Sequence, residues 1–245
     1  MNVSRGKMLD LLKEVIDSEC SELEREYKRL EKEYKKKYQN TISDIAEKAN
    51  VARGTVVRWL ELESVPKQYA FDLMKMAGRE IDYTQFSYKE KDQFYTPTET
   101  AKYCYDVFCE KLKDLNVDES ILSYIEPSAG AGAFLDVLPE NRTIALDVEP
   151  RDDRIEEQDY LTWSPSKEQS YVVFGNPPFG LRGQLALKFV NHSHNFADFV
   201  CFILPQLFES DGKGSPRKRV KDYNLYHTEK LDTVFHEPDG KEVRV

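Results

Sequence analysis

Cysteine is scarce in this 245-residue chain: there are four, Cys20, Cys104, Cys109 and Cys201, with no metal-binding spacing between them. Reduced core or surface thiols are expected, and a cysteine-built metal centre or disulfide framework is excluded. No apolar stretch reaches the roughly 20 residues needed to cross a bilayer, and no signal-peptide pattern is found. The expectation is a soluble protein of the cytoplasm or nucleoid with no membrane partner. Positive charge is in deficit as well, with 35 Lys and Arg against 44 Asp and Glu, a formal net charge of −9. A surface that coats nucleic acid uniformly is therefore unexpected, and any such contact must come from local basic patches. With 40% hydrophobic and 32% charged residues, the chain can bury one good core and one small one.

Against these absences stands one stretch with chemistry in it. The β-forming run 171–175 empties directly into Asn176, Pro177, Pro178 and Phe179. Each proline fixes its own φ and pushes the preceding residue out of the helical region. Open α/β sheets hold their ligands at the carboxyl ends of strands. There the Asn176 side chain and the Asn176 and Pro177 carbonyls can converge as acceptors beside the flat ring of Phe179. Such a site suits a planar NH2 group, which needs two acceptors and a stacking partner. An Asn-Pro-Pro by itself is also a common turn.

Three upstream elements add weight. An apolar strand ends at Glu126, and Pro127, Ser128, Ala129, Gly130, Ala131 and Gly132 follow, with an apolar helix predicted from Ala133. Gly130 and Gly132 are read as positions where a side chain would fill the space of a ligand. A second strand, 143–147, ends in Asp147, close to the spacing of about 20 residues at which an acid meets ribose hydroxyls in Rossmann-like sheets. Glu149 is the alternative, two residues on. Finally, Phe94, Tyr95, Thr96, Pro97 and Glu99 read as a helix start, with Thr96 as N-cap, Pro97 first in the helix and Glu99 closing a capping box.

In this order the elements resemble the S-adenosylmethionine-dependent amino-group methyltransferases, in particular the DNA adenine-N6 methyltransferases, whose signature is Asn/Asp-Pro-Pro-Tyr/Phe/Trp. The resemblance covers residues 94 to about 210. It implies a Rossmann-like class I methyltransferase sheet, with Asn176, Pro177, Pro178 and Phe179 as the catalytic turn. It also implies that S-adenosyl-L-methionine is held by Tyr95, Thr96 and Pro97 at its carboxylate, Glu126 at its ammonium, the loop of Ser128, Gly130 and Gly132, Asp147 at its ribose, and Asn176. Asp159 and Tyr160 resemble the family's acid-aromatic pair, which meets the cofactor's adenine. The gap before Asn176 is too short for a target-recognition domain, which matches members that carry this domain outside the core.

Downstream, 185–190 reads as a helix, 199–205 as a buried strand, and 234–245 as a hairpin with Asp239 and Gly240 at its turn. A chain stopping in a strand-like run suggests part of a longer protein. Five basic residues between 213 and 221, Arg217, Lys218 and Arg219 among them, suit phosphate contacts.

The amino-terminal region has its own pattern. Leu9, Leu12, Ile16, Cys20, Leu23, Tyr27, Leu30 and Tyr34 recur at steps of three and four, one stripe of a long amphipathic helix and a candidate coiled-coil seam for a homodimer or a partner subunit. Residues 41–60 then follow a helix-turn-helix pattern, with Ala46 at the helix crossing, Asn50 at a left-handed turn position, and Val51, Val56 and Trp59 as anchors. Its second helix would present Arg53, Thr55 and Arg58 to a major groove. A helix-turn-helix used only for packing is the alternative. The predicted organisation is a long helix over 1–38, a helix-turn-helix module over 39–80, a linker over 81–93 and an α/β methyltransferase domain over 94–245, acting on double-stranded DNA.

Overall fold

The computed structural model describes residues 5–212 and 214–243, and side chains from residue 9 onward. The chain forms two compact units, residues 1–81 and 82–245.

In the first unit, α1 (Arg5–Lys48) is a single helix of 44 residues. The division expected at residue 38 falls inside it, because neither glycine nor proline interrupts residues 9–48. The chain reverses where Asn50 takes φ 51°, and α2 (Arg53–Glu61) follows. A short 3-10 turn (Lys67–Tyr69) leads into α3 (Ala70–Met76), which stops ahead of Gly78 at φ 65°. Ile42, Ala46, Ala49, Val56, Trp59 and Tyr69 form a small core, with Val51 packed against it. The Trp59 and Tyr69 rings lie 4.5 Å apart at its centre. Only the last turns of α1 share this core. Its earlier apolar stripe is exposed, Leu23, Tyr27 and Tyr34 each by two-thirds.

The second unit contains α4 (Thr98–Asp114), β1 (Ser123–Glu126), β2 (Thr143–Asp147), β3 (Glu156–Glu157), β4 (Tyr171–Gly175), α5 (Gln184–Ser193) and β5 (Phe199–Phe202). The strands pair in parallel in the order β3-β2-β1-β4-β5. The chain runs outward from β1 through β2 to β3, then returns to the other side of β1 as β4. Between β1 and β4 lies the topological switch point at which such sheets open a crevice.

Side chains alternate across the sheet. Tyr124, Val172 and Phe174 meet Ala101, Phe108 and Leu112 of α4, whereas Ile125, Tyr171 and Val173 share the other face with Phe189 of α5. Cover on both faces explains why these strands read as continuous apolar runs. β5 is half-buried, contrary to the expectation of a buried strand, because it forms the sheet edge. The architecture is thus α/β with a five-stranded parallel sheet and a long amino-terminal helix, compatible with a Rossmann-like fold. Among the described residues no helix is long and apolar enough to cross a membrane.

Two local expectations are corrected. Residues 131–138 form turns, not a helix: only six residues separate Gly132 from Pro139, too few to repay helix nucleation, although Phe134 and Leu138 still enter the core. α4 starts at Thr98, with Pro97 at the cap position and no side-chain capping bond. Thr96 is engaged elsewhere. At the carboxyl end, β6 (Phe235–His236) and β7 (Glu242–Val243) form the expected hairpin, with Gly240 at φ 87°. Tyr95 and His236 exchange backbone hydrogen bonds of 2.7 and 3.1 Å, tying the segment before α4 to this hairpin.

Candidate active site

Because β1 and β4 are neighbours, the residues that end them meet. Glu126 closes β1, and its side chain lies against Gly175 at the end of β4: a Cβ there would sit 3.4 Å from Glu126 Cγ. Ser128 Oγ donates to the Asn176 carbonyl at 3.2 Å, tying the glycine loop to the Asn-Pro-Pro turn. Asn176 Nδ2 donates to Thr96 Oγ1, also at 3.2 Å. This bond fixes the carboxamide and leaves Oδ1 as its acceptor end.

That acceptor is buried and has no hydrogen-bond partner, nor does Glu126 Oε2, Tyr95 Oη or Gln93 Oε1. These four are the unpartnered buried side-chain atoms among the described residues, and all lie on segments that meet at the ends of β1 and β4. Leaving a buried polar atom unpaired costs about 1–3 kcal/mol, so their concentration makes this the candidate site. Glu126 is 1% exposed. Burial, reinforced by the nearby Asp147, pushes its carboxyl pKa well above the ordinary glutamate value.

A hollow beside the turn is lined by Asp92, Phe94, Asn176, Pro177, Phe179 and Phe235. Asp92 has φ 51°, and its Oδ2 accepts the Gly180 N–H at 2.6 Å, which fastens the far end of the turn. Burial raises the Asp92 pKa, and the Gly180 bond opposes the rise. Phe94 opens the segment read as a helix start, whereas Asp92 and Phe235 carry no signature that a sequence reading could use. Asp92 sits in a stretch read as linker, and Phe235 arrives through a hairpin remote in sequence.

The glycine loop differs from its expected use. Gly130 and Gly132 do require glycine, at φ 54° and 83°. Beside Gly130, however, the space is taken by the Tyr95 ring, 3.2 Å from where a Cβ would stand. Arg154 and Asp152 occupy the space beside Gly132 in the same way, at 3.1 and 3.3 Å. Asp147 supports this loop: its Oδ2 accepts the Gly130 N–H and its Oδ1 the Glu149 N–H, both at 2.8 Å. Burial raises the Asp147 pKa against the pull of these bonds. Glu149 lies beyond the end of β2 and is ion-paired with Lys91 and Arg151.

The acid-aromatic pair divides. Asp159 Oδ1 accepts the Leu161 N–H at 3.1 Å and caps a short 3-10 turn. Tyr160 is 1% exposed, shares a 2.7 Å hydrogen bond with Ser193 and packs on Phe189. Its ring belongs to the core, so it has no face left for a ligand.

The basic candidates lie on both units. Arg53 opens α2 and bonds Gln39 of α1, Thr55 is half-buried and Arg58 is exposed. In the α/β unit, Arg217 donates to the Glu209 carbonyl and pairs with Asp211, each at 3.3 Å. Arg219 donates to Gln184 Oε1 at 2.9 Å, and Lys218 is exposed. Lys213 and the last two residues of the predicted hairpin, Arg244 and Val245, lie outside the described residues.

Compared with known proteins, the chain matches no protein-family model, no curated sequence and no solved structure.

Proposed function

We propose that the α/β unit is a class I amino-group methyltransferase that uses S-adenosyl-L-methionine to methylate N6 of a flipped adenine in double-stranded DNA. The observation that carries this reading is the pair of unpartnered buried acceptors, Asn176 Oδ1 and Glu126 Oε2, at the switch point of a parallel sheet. A buried carboxyl lacking a partner fits a cationic ammonium, beside which it would ionise, and a fixed carboxamide oxygen fits an amine N–H. At the methionine end the residues therefore fit the cofactor, with Glu126, Tyr95 and the 128–132 loop to hold it. At the adenine end the fit rests on Asp159 without Tyr160.

When bound, the cofactor supplies a methyl group on a sulfonium centre. The chain supplies position. Asn176 Oδ1 accepts one amino N–H of the target base and the Pro177 carbonyl the other, which draws the nitrogen lone pair out of conjugation with the ring. Phe179 stacks on the base, worth about 1–3 kcal/mol, which offsets part of the few kcal/mol needed to extrude it from the duplex. Phe94 and Phe235 line the hollow beside Phe179. The amino proton leaves to water after transfer, and orientation accounts for most of the rate. In the helical unit, Arg53, Thr55 and Arg58 on α2 approach a major groove, and in the α/β unit Arg217, Lys218 and Arg219 contact phosphates.

One observation favours a second reading. The Tyr95 ring packed against Gly130 accounts for that glycine without a cofactor, as expected of a DNA-binding regulator or partner subunit that retains the fold without turnover. RNA adenine and protein glutamine offer the same amino chemistry. Incubating the full chain with methyl-labelled S-adenosylmethionine and separate DNA, RNA and protein pools discriminates these readings. Label in DNA alone supports the proposal, label in RNA or protein reassigns the substrate, and no label in any pool supports the regulator.

A further inference from the structure

From Ile16 the exposed stripe of α1 keeps a strict four-three alternation: Ile16, Cys20, Leu23, Tyr27, Leu30, Tyr34. Leu9 continues one side of the stripe a heptad earlier, where Lys13 holds the other seam position, so the unbroken stripe runs from Ile16 to Tyr34, the pattern of a coiled-coil seam. Leu23, Tyr27, Leu30 and Tyr34 are 68, 67, 52 and 68% exposed, so the small core of the helical unit does not cover it. A solvated apolar stripe of this length marks a surface for association.

The residues beside the seam say what kind of partner fits. The position after each first-type seam residue holds Asp17, Glu24 or Glu31, and the position before each second-type one holds Glu19, Glu26 or Glu33. Both borders are acidic from Asp17 to Glu33. Every base from 25 to 36 (Arg25, Lys28, Arg29, Lys32, Lys35, Lys36) falls on the outer face instead. Lys28 reaches back to Glu24 and Lys35 to Glu31, each at 2.7 Å, while Arg29 lies 3.9 Å from both Glu26 and Glu33. These pairs are solvent-exposed and i,i+3 or i,i+4, so they soften the border charge without reversing its sign.

In a coiled coil the border positions of the two helices face each other and set partner choice. A second copy of this chain would bring glutamate against glutamate, in parallel and antiparallel arrangements alike. An anionic membrane surface meets the same repulsion. We infer that the α1 seam docks an amphipathic helix of a different protein whose border positions carry Lys or Arg. This inference stands apart from the proposed chemistry, since it rests on none of the residues assigned to the candidate active site.

The test uses the full chain and two synthetic 28-residue helical peptides with the same Leu and Ala seam, one with Lys at every border position and one with Glu. The chain alone should sediment as a monomer. The Lys peptide should bind about ten- to a hundredfold tighter than the Glu peptide at low salt, with the gap narrowing as salt rises. Reversing the border by E24K, E26K, E31K and E33K, with K28E, R29E and K35E to keep the pairs within the helix, should invert the preference, and circular dichroism should show the helix retained. A stable homodimer, equal binding of both peptides, binding of neither, or a preference that survives the reversal would each overturn the inference.

Discussion

Glu126 shows most directly what the candidate site does to a single residue. Its carboxyl is buried, one oxygen has no partner, and burial followed by Asp147 raises its pKa well above the ordinary value. The native chain therefore keeps a proton that the unfolded chain releases near pH 4.5. The sign follows from that difference: stability is unaffected below the unfolded pKa and falls as pH rises toward the raised native value. Asp147 and Asp92, also raised, act in the same direction. E126Q keeps the shape and removes the ionisation. It should gain about 1–3 kcal/mol at pH 7 and flatten the decline that begins near the unfolded pKa and continues toward the raised native one in urea unfolding, while binding S-adenosylmethionine more weakly. A variant no more stable than the parent, with the same pH profile, would mean that Glu126 is already satisfied without a ligand.

At the scale of elements, the turn after β4 depends on backbone that only glycine supplies. Gly180 has φ 66°, and a Cβ there would stand 2.6 Å from Leu185 Cβ and 3.0 Å from its backbone nitrogen, neither of which can swing away. G180A should cost about 2–4 kcal/mol in thermal or urea unfolding. G214A, at φ 95° with nothing within 4 Å, keeps the backbone penalty without the collision and should cost about half as much. Equal losses would show that the turn accommodates the methyl group. The same scale shows what a sequence can carry. β1, β2, β4, α5 and the final hairpin are legible because apolar runs and turn residues act locally. The start of α4 is not, because the Thr96 hydroxyl bonds Asn176, 80 residues away, in place of capping its own helix. Tyr160 and Gly130 illustrate the same gap. The motif names the residue, but Phe189 and Ser193 decide that Tyr160 faces inward, and Tyr95 decides what lies against Gly130. Asp92 is invisible for want of any local pattern, since its role comes from one hydrogen bond to Gly180.

For the whole molecule, two separate cores imply separable tasks. A fragment beginning at Asp82 keeps every residue assigned to the candidate active site and should bind S-adenosylmethionine like the full chain in calorimetry. It should lose most DNA affinity and sequence preference. R58A in the full chain should cost about 1–3 kcal/mol on a cognate site if Arg58 reads a base, and should weaken all duplexes alike if it meets only phosphate. Should the fragment keep both affinity and preference, DNA reading belongs to the α/β unit and the helical unit serves association alone. The central claim concerns the chemistry of one turn, and one measurement reaches it most directly: incubate the full chain with duplex DNA and S-adenosylmethionine, digest the DNA to nucleosides and quantify N6-methyladenine by mass spectrometry, beside N176A. The account predicts N6-methyladenine from the parent chain and a rate about 10²–10³ lower from the variant, with cofactor affinity nearly unchanged. An equal yield from N176A, or no methylated adenine from a parent chain that binds the cofactor, would contradict it.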